Sequence, residues 1–143
     1  MDNIVLVGAG FAALQTIKMI RKTDPNIAIT IVTADAGIEY SKPNLSHVFS
    51  QAQTPQQLAI TPAQQLAELH NVVIKTNVWV NEINTEQQFI VAGDDIIPYS
   101  KLVLATGAAP FIPAAEGLSA QATITLNSFC LLYTSPSPRD GNV

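Results

Sequence analysis

Gly8, Gly10 and Ala13 stand at the spacing G-x-G-x-x-G/A within the stretch Gly8-Ala9-Gly10-Phe11-Ala12-Ala13. The chemistry open to such a spacing is the holding of a pyrophosphate. The first glycine permits a sharp turn, the second lets the anion lie against bare backbone, and a small third residue allows close helix–strand packing. A helix N-terminus at this point adds unpaired N–H groups and a partial positive charge. Asp35 gives the hexapeptide its weight. From Ala13 to Asp35 is 35 − 13 = 22 positions, near the interval of about 20 at which an acid accepts hydrogen bonds from a ribose hydroxyl. An aspartate also suits the start of a solvated loop. Glycine turn, second strand and acid in register favour the ribose role.

These groups need strands and a helix to hold them. Ile4-Val5-Leu6-Val7 is an unbroken apolar run, the pattern of a parallel strand buried on both faces. Beyond the glycine turn, Ala13, Leu14, Ile17 and Ile20 recur at helical spacing over residues 13–22, with Gln15, Lys18, Arg21 and Lys22 mostly off that stripe. Arg21 and Lys22 suit the negative end of this helix, and Asp24-Pro25-Asn26 stops it. Residues 27–32 predict a second buried strand, rich in β-branched side chains. A polar loop over residues 36–44 and a short helical stretch over 45–51 follow. Thr54-Pro55-Gln56-Gln57 and Thr61-Pro62-Ala63-Gln64 read as capping boxes, the second opening a helix to about His70.

Residues 72–75 predict a third strand, and 78–83, 88–92 and 96–99 three short antiparallel strands. Asn84-Thr85-Glu86 and Gly93-Asp94-Asp95 supply their turns. Lys101-Leu102-Val103-Leu104-Ala105 is a further apolar parallel strand ending in Thr106-Gly107. The fold class this predicts is α/β, a Rossmann-like central parallel sheet with a small antiparallel β-meander inserted.

The chain of 143 residues carries 48% hydrophobic and 13% charged residues, enough apolar content for a real core and with no run able to span a bilayer. A net charge of −4 speaks against a nucleic-acid partner. With one cysteine, Cys130, an internal disulfide and a paired-cysteine redox motif are excluded. Met1-Asp2 leads straight into a strand, so no signal peptide is expected and the cytoplasm is the expected compartment.

Four motifs occur in order: the glycine turn, Asp35, Tyr40-Ser41-Lys42-Pro43, and Tyr99-Ser100-Lys101-Leu102-Val103-Leu104-Ala105-Thr106-Gly107-Ala108. With them the chain resembles the N-terminal FAD half of the two-dinucleotide-fold flavoprotein reductases, in the rubredoxin-reductase branch. The likeness runs from about Ile4 to Ser128. It implies that the backbone of Gly8, Ala9, Gly10, Phe11, Ala12 and Ala13 holds the FAD pyrophosphate and that Asp35 holds the adenosine ribose. Lys42 and Pro43 would lie on the flavin side, Lys42 either offering its ammonium to a phosphate or the ring, or standing as a solvated loop lysine. Val78 would give backbone contacts to the adenine or serve as a plain core residue. Ala105, Thr106 and Gly107 would pass close under the cofactor. Phe11 and Trp79 read as packing residues, and His47 stands where many relatives carry lysine. His70, ending a helix, reads as a favourable C-terminal charge.

The function the resemblance implies is hydride uptake from NADH and electron transfer to a rubredoxin-type iron centre, such as that of flavorubredoxin in nitric oxide detoxification. No catalytic side chain and no metal site are expected of the protein itself. Neither a second glycine fingerprint for NADH nor a C-terminal domain is present, so residues 1–129 are expected to form an incomplete FAD-binding domain, inactive alone. Residues 130–143 turn abruptly Pro/Ser-rich and read as a non-native or disordered tail. The competing readings are a single-Rossmann NAD-dependent dehydrogenase and a non-catalytic dinucleotide-binding fragment.

Overall fold

The computed structural model describes residues 2–37, 61–109, 111 and 113. All but the last few of these lie in one compact unit, Met1–Tyr40 with Ala59–Gly107. The sequence readings at Lys42, Pro43, His47, the first capping box and the segment 130–143 lie outside the described residues.

Strand β1, Asn3–Val7, leads through the glycine turn into helix α1, Phe11–Thr23, and the chain returns as β2, Ala28–Val32. Helix α2, Ala63–His70, precedes β3, Val73–Lys75. Three strands then form the meander: β4, Val80–Asn84, β5, Phe89–Ala92, and β6, Asp95–Pro98. Strand β7, Lys101–Leu104, is the last among the described residues. The main sheet is parallel in the order β3-β2-β1-β7, and β4-β5-β6 make a separate antiparallel sheet.

Alternation along β1 explains why its run is apolar throughout. Ile4 and Leu6 pack with Ala13, Leu14 and Ile17 of α1, Ile29 and Ile31 of β2, and Leu66 of α2. Val5, with Val32 of β2, packs instead against Ile90, Ala92 and Ile97 of the meander. The parallel sheet is thus sandwiched between helices and a second sheet. Each fully buried side chain of the size of Leu6, Ile17 or Ile31 contributes roughly 1.5–3 kcal/mol relative to exposure.

One strand and one helix start later than the sequence predicts. The first meander strand begins at Val80 and not at Val78, because the Val78 N–H donates to the Thr33 carbonyl (3.0 Å) and not to β5. The capping box at Thr61 does not close: Pro62 takes the N-cap of α2, with no side-chain cap, and its carbonyl accepts from Leu66 N–H at 3.0 Å. Thr61 lies one residue too early, in an isolated β-bridge. Phe11 and Trp79, read as packing residues, are 76% and 73% exposed. Phe11 opens a helix whose core face carries Ala13, Leu14 and Ile17, and Trp79 lies between Val78 and Val80, which both pack on the meander core.

One arginine ties the helical layer together. The Arg21 guanidinium donates to the carbonyls of His70 (2.7 Å), Asn71 (2.8 Å), Ile27 (2.8 Å) and Asp24 (3.3 Å). It therefore joins the ends of α1 and α2 to the approach to β2. Among the described residues no helix is long and apolar enough to cross a membrane.

Candidate dinucleotide-binding site

Strand order places the site. Moving outward from β1, the chain adds β2 and β3 on one side and β7 on the other. Open parallel sheets bind ligands where the order reverses, beyond the carboxyl ends of the strands. Here that point is flanked by Gly8 after β1 and by Ala105 after β7.

The two fingerprint glycines do different work. Gly8 has φ +103°, and a Cβ built on it would lie 2.2 Å from the Ala105 carbonyl oxygen. Its N–H donates to the Val32 carbonyl at 2.7 Å. Glycine is required at this position by the protein's own backbone. Gly10 is the N-cap of α1 in extended conformation, φ −76° and ψ −176°, which any residue adopts. A Cβ there would meet no atom within 4 Å. The open room above the helix end is the volume a pyrophosphate would take.

That helix end is prepared for an anion. The intrahelical ladder opens with Leu14 N–H donating to Gly10 O at 3.1 Å, so the N–H groups of Phe11, Ala12 and Ala13 precede it. The first turn carries no acidic residue to compete. Ala9 and Ala13 are buried, and Ala13, fully so, lets α1 lie close on the sheet.

At the end of β2 the carboxylate of Asp35 is held in a turn. Its Oδ1 accepts from the Thr33 hydroxyl at 2.8 Å and from the Gly37 N–H at 2.9 Å. The Asp35 carbonyl accepts from Asn77 N–H at 2.9 Å, which joins this loop to the one entering β4. Val78 sits in that second loop with its N–H committed to the Thr33 carbonyl at 3.0 Å. Ala105 N–H donates to the Val7 carbonyl at 2.8 Å, Thr106 and Gly107 are exposed beyond it, and Gly107 has φ +73°.

An open groove of about 400 Å³ runs beside Thr106, walled by Val7, Val80, Ile83 and Leu104. Its walls include neither Gly10 nor Asp35, so it is not where the fingerprint would place a pyrophosphate or a ribose. The sequence points to Gly8, Gly10, Asp35 and Ala105 but not to Thr33, Gly37 and Asn77, which the structure joins to Asp35 by hydrogen bonds. The Thr-x-Asp-x-Gly spacing was the available signal, since a short polar side chain bonding a backbone N–H two residues on is a standard turn device.

A parallel sheet reversing at β1, closed by a glycine turn, with an acid beyond its second strand, defines a dinucleotide-binding α/β domain of Rossmann type. The family model described as pyridine nucleotide-disulphide oxidoreductase matches residues 2–135. The chain belongs to this family. It is similar to the nitric oxide reductase FlRd-NAD(+) reductase of Vibrio vulnificus (strain YJ016), 46% identical over 127 residues that make 89% of this chain and 33% of the relative. The protein of the same name from Klebsiella pneumoniae (strain 342) is 44% identical over the same shares. Among solved structures, an NAD-dependent persulfide reductase from A. fulgidus superposes with a TM-score of 0.81 at 27% identity, over 92% of this chain and 26% of that one. The putidaredoxin reductase of a covalent complex with putidaredoxin gives 0.69 at 28% identity, over 81% and 28%. The chain thus spans about a third of the length of the curated relatives it matches.

Proposed function

We propose that this chain is the FAD-binding part of an NADH-dependent flavoprotein reductase that passes electrons to a rubredoxin-type iron centre, with flavorubredoxin as acceptor and nitric oxide detoxification as its setting. The carrying observation is the open room at Gly10, above a helix end free of acid, in a chain of this family. The names of the relatives from Vibrio vulnificus and Klebsiella pneumoniae support the acceptor.

The residues present fit the cofactor. Backbone N–H groups of Gly10, Phe11, Ala12 and Ala13 would bind the pyrophosphate, with Gly8 and Ala9 shaping the turn. Asp35 would accept from the adenosine ribose, and Val78 would give backbone contacts to the adenine. Ala105, Thr106 and Gly107 would line the floor, and the resemblance adds Lys42 and Pro43 on the flavin side. Bound FAD would supply two-electron uptake from NADH and one-electron delivery. The chain's own share is to fix the cofactor's adenosine end.

NADH would be held by a part of the relatives' length that this chain does not span, so the chain alone is inactive. Residues 1–129 make the cofactor-binding portion in this reading and residues 130–143 are left outside it, although the family match runs on to residue 135. The compartment is cytoplasmic, with no nucleic-acid or membrane partner. Incubation of the purified chain with FAD, followed by desalting, tests the reading. Retained flavin absorption supports it, whereas a colourless protein that retains nicotinamide nucleotide would replace it with the NAD-dehydrogenase reading.

A further inference from the structure

We infer that Thr33 is a positioning residue for Asp35, its buried hydroxyl fixing the carboxylate that would meet the adenosine ribose. This rests on the dinucleotide reading above. Thr33 is only 5% exposed. Its backbone is pinned on both sides: its N–H donates to the Lys75 carbonyl at 2.9 Å, and its carbonyl accepts from Val78 N–H at 3.0 Å. The side chain therefore leaves a fixed point between the ends of β2 and β3.

From that point the Thr33 hydroxyl donates to Asp35 Oδ1 at 2.8 Å. A buried hydroxyl is costly unless paired, and a charge-assisted bond to a carboxylate is the stronger kind. Gly37 N–H fills the same oxygen at 2.9 Å. Gly37 holds φ +65°, and a Cβ on it would fall 2.9 Å from Thr76 Cγ2, so the turn is closed on that side as well. With Oδ1 saturated by two internal donors, the carboxylate plane is set before any ligand arrives. Oδ2, which accepts no hydrogen bond among the described residues, is the oxygen presented to a ribose hydroxyl. A carboxylate held this way accepts from a hydroxyl without losing rotamer freedom on binding, and it repels a phosphate ester at the same ribose.

The test is calorimetric titration of the 143-residue chain with ADP, 2′-deoxy-ADP and 3′-deoxy-ADP. The unmodified chain is expected to bind ADP about tenfold more tightly than at least one deoxy analogue. Thr33→Val and Thr33→Ala both remove the hydroxyl and should bring that ratio to about one, while Thr33→Ser should restore it. Retention of the preference in both hydroxyl-free variants would overturn the positioning role and leave the dinucleotide reading standing. An unmodified chain that binds none of the three, or all three alike, would overturn that reading and this inference with it. Should the hydroxyl-free variants not fold, the Thr33 hydroxyl proton of the unmodified chain gives the same information by NMR. Its resonance should move on addition of ADP and stay in place with the non-preferred analogue; the same response to both would count against the inference.

Discussion

The Ala105 carbonyl oxygen stands 2.2 Å from the point where a side chain on Gly8 would begin, while Ala105 N–H reaches back to the Val7 carbonyl at 2.8 Å. The exits of β1 and β7 are therefore in direct backbone contact. The glycine turn is part of how the sheet is closed, and only secondarily part of a ligand site.

Gly8→Ala is accordingly expected to destabilise the fold even with no ligand present. It forces a Cβ into a main-chain carbonyl at positive φ, and neither atom lies at the end of a flexible side chain. A loss of at least about 3 kcal/mol is expected. Urea unfolding followed by circular dichroism measures it, and a midpoint equal to that of the parent chain would contradict the assignment.

Gly10→Val separates the two roles. Since a Cβ at Gly10 meets nothing within 4 Å and its backbone is extended, the fold should survive with little change in melting temperature. Flavin retention through a desalting column should be abolished, because the side chain fills the room above the helix end. Flavin carried through as in the parent would place the pyrophosphate elsewhere.

Asp35→Ala removes the ribose acceptor and also the partner of Thr33 and Gly37. Affinity for FAD should fall by about 1–3 kcal/mol. Equilibrium titration with FAD checks this; an unchanged constant is the contrary result.

Arg21→Ala should lower stability without altering nucleotide affinity. Its guanidinium satisfies carbonyls of four residues, three of them at 2.7–2.8 Å, and their loss leaves partly buried acceptors unpaired. We expect about 2–3 kcal/mol, read from denaturant unfolding. Lysine at this position should recover only part, since an ammonium cannot spread its donors across the same carbonyls.

The chain as it stands should not reduce a rubredoxin-type acceptor with NADH, even with FAD added. Hydride transfer requires the nicotinamide to be held against its acceptor at near contact, and positioning supplies much of the rate. NADH oxidation well above that of free FAD, proportional to added chain, is the outcome that contradicts this.

Much of this architecture can be read from residue order because burial writes itself into side-chain type. Ile4-Val5-Leu6-Val7 must be apolar at every position since alternate residues face different cores. Gly93 and Asp94 mark the turn between β5 and β6, with Gly93 at φ +62°. What escapes the sequence is set by contacts between distant segments. Val78 lies outside β4 because Thr33 takes its N–H, and Gln88 adopts φ +55° in a position no residue preference foretells. Arg21 looks like an ordinary cation at a helix end until residues 70 and 71 arrive beneath it. At the site, the motif gives Gly8 the turn and Gly10 the anion, but only the nearness of Ala105 shows that the fold itself requires glycine at Gly8.

Strand β1 leaves a ribosome well before its partner β7, which begins at Lys101. Asn3 carries the same delay in its side chain, which donates to Pro98 across 95 positions, and its carbonyl accepts from the Ser100 hydroxyl. During synthesis the first strand can pair with β2 early but must wait some seventy further residues, to Lys101, for its other neighbour. In that interval one side of an apolar strand is an open template for pairing with other chains. Closure over so long a loop is also slow. Nascent chains halted before residue 101 are therefore the species most in need of a chaperone.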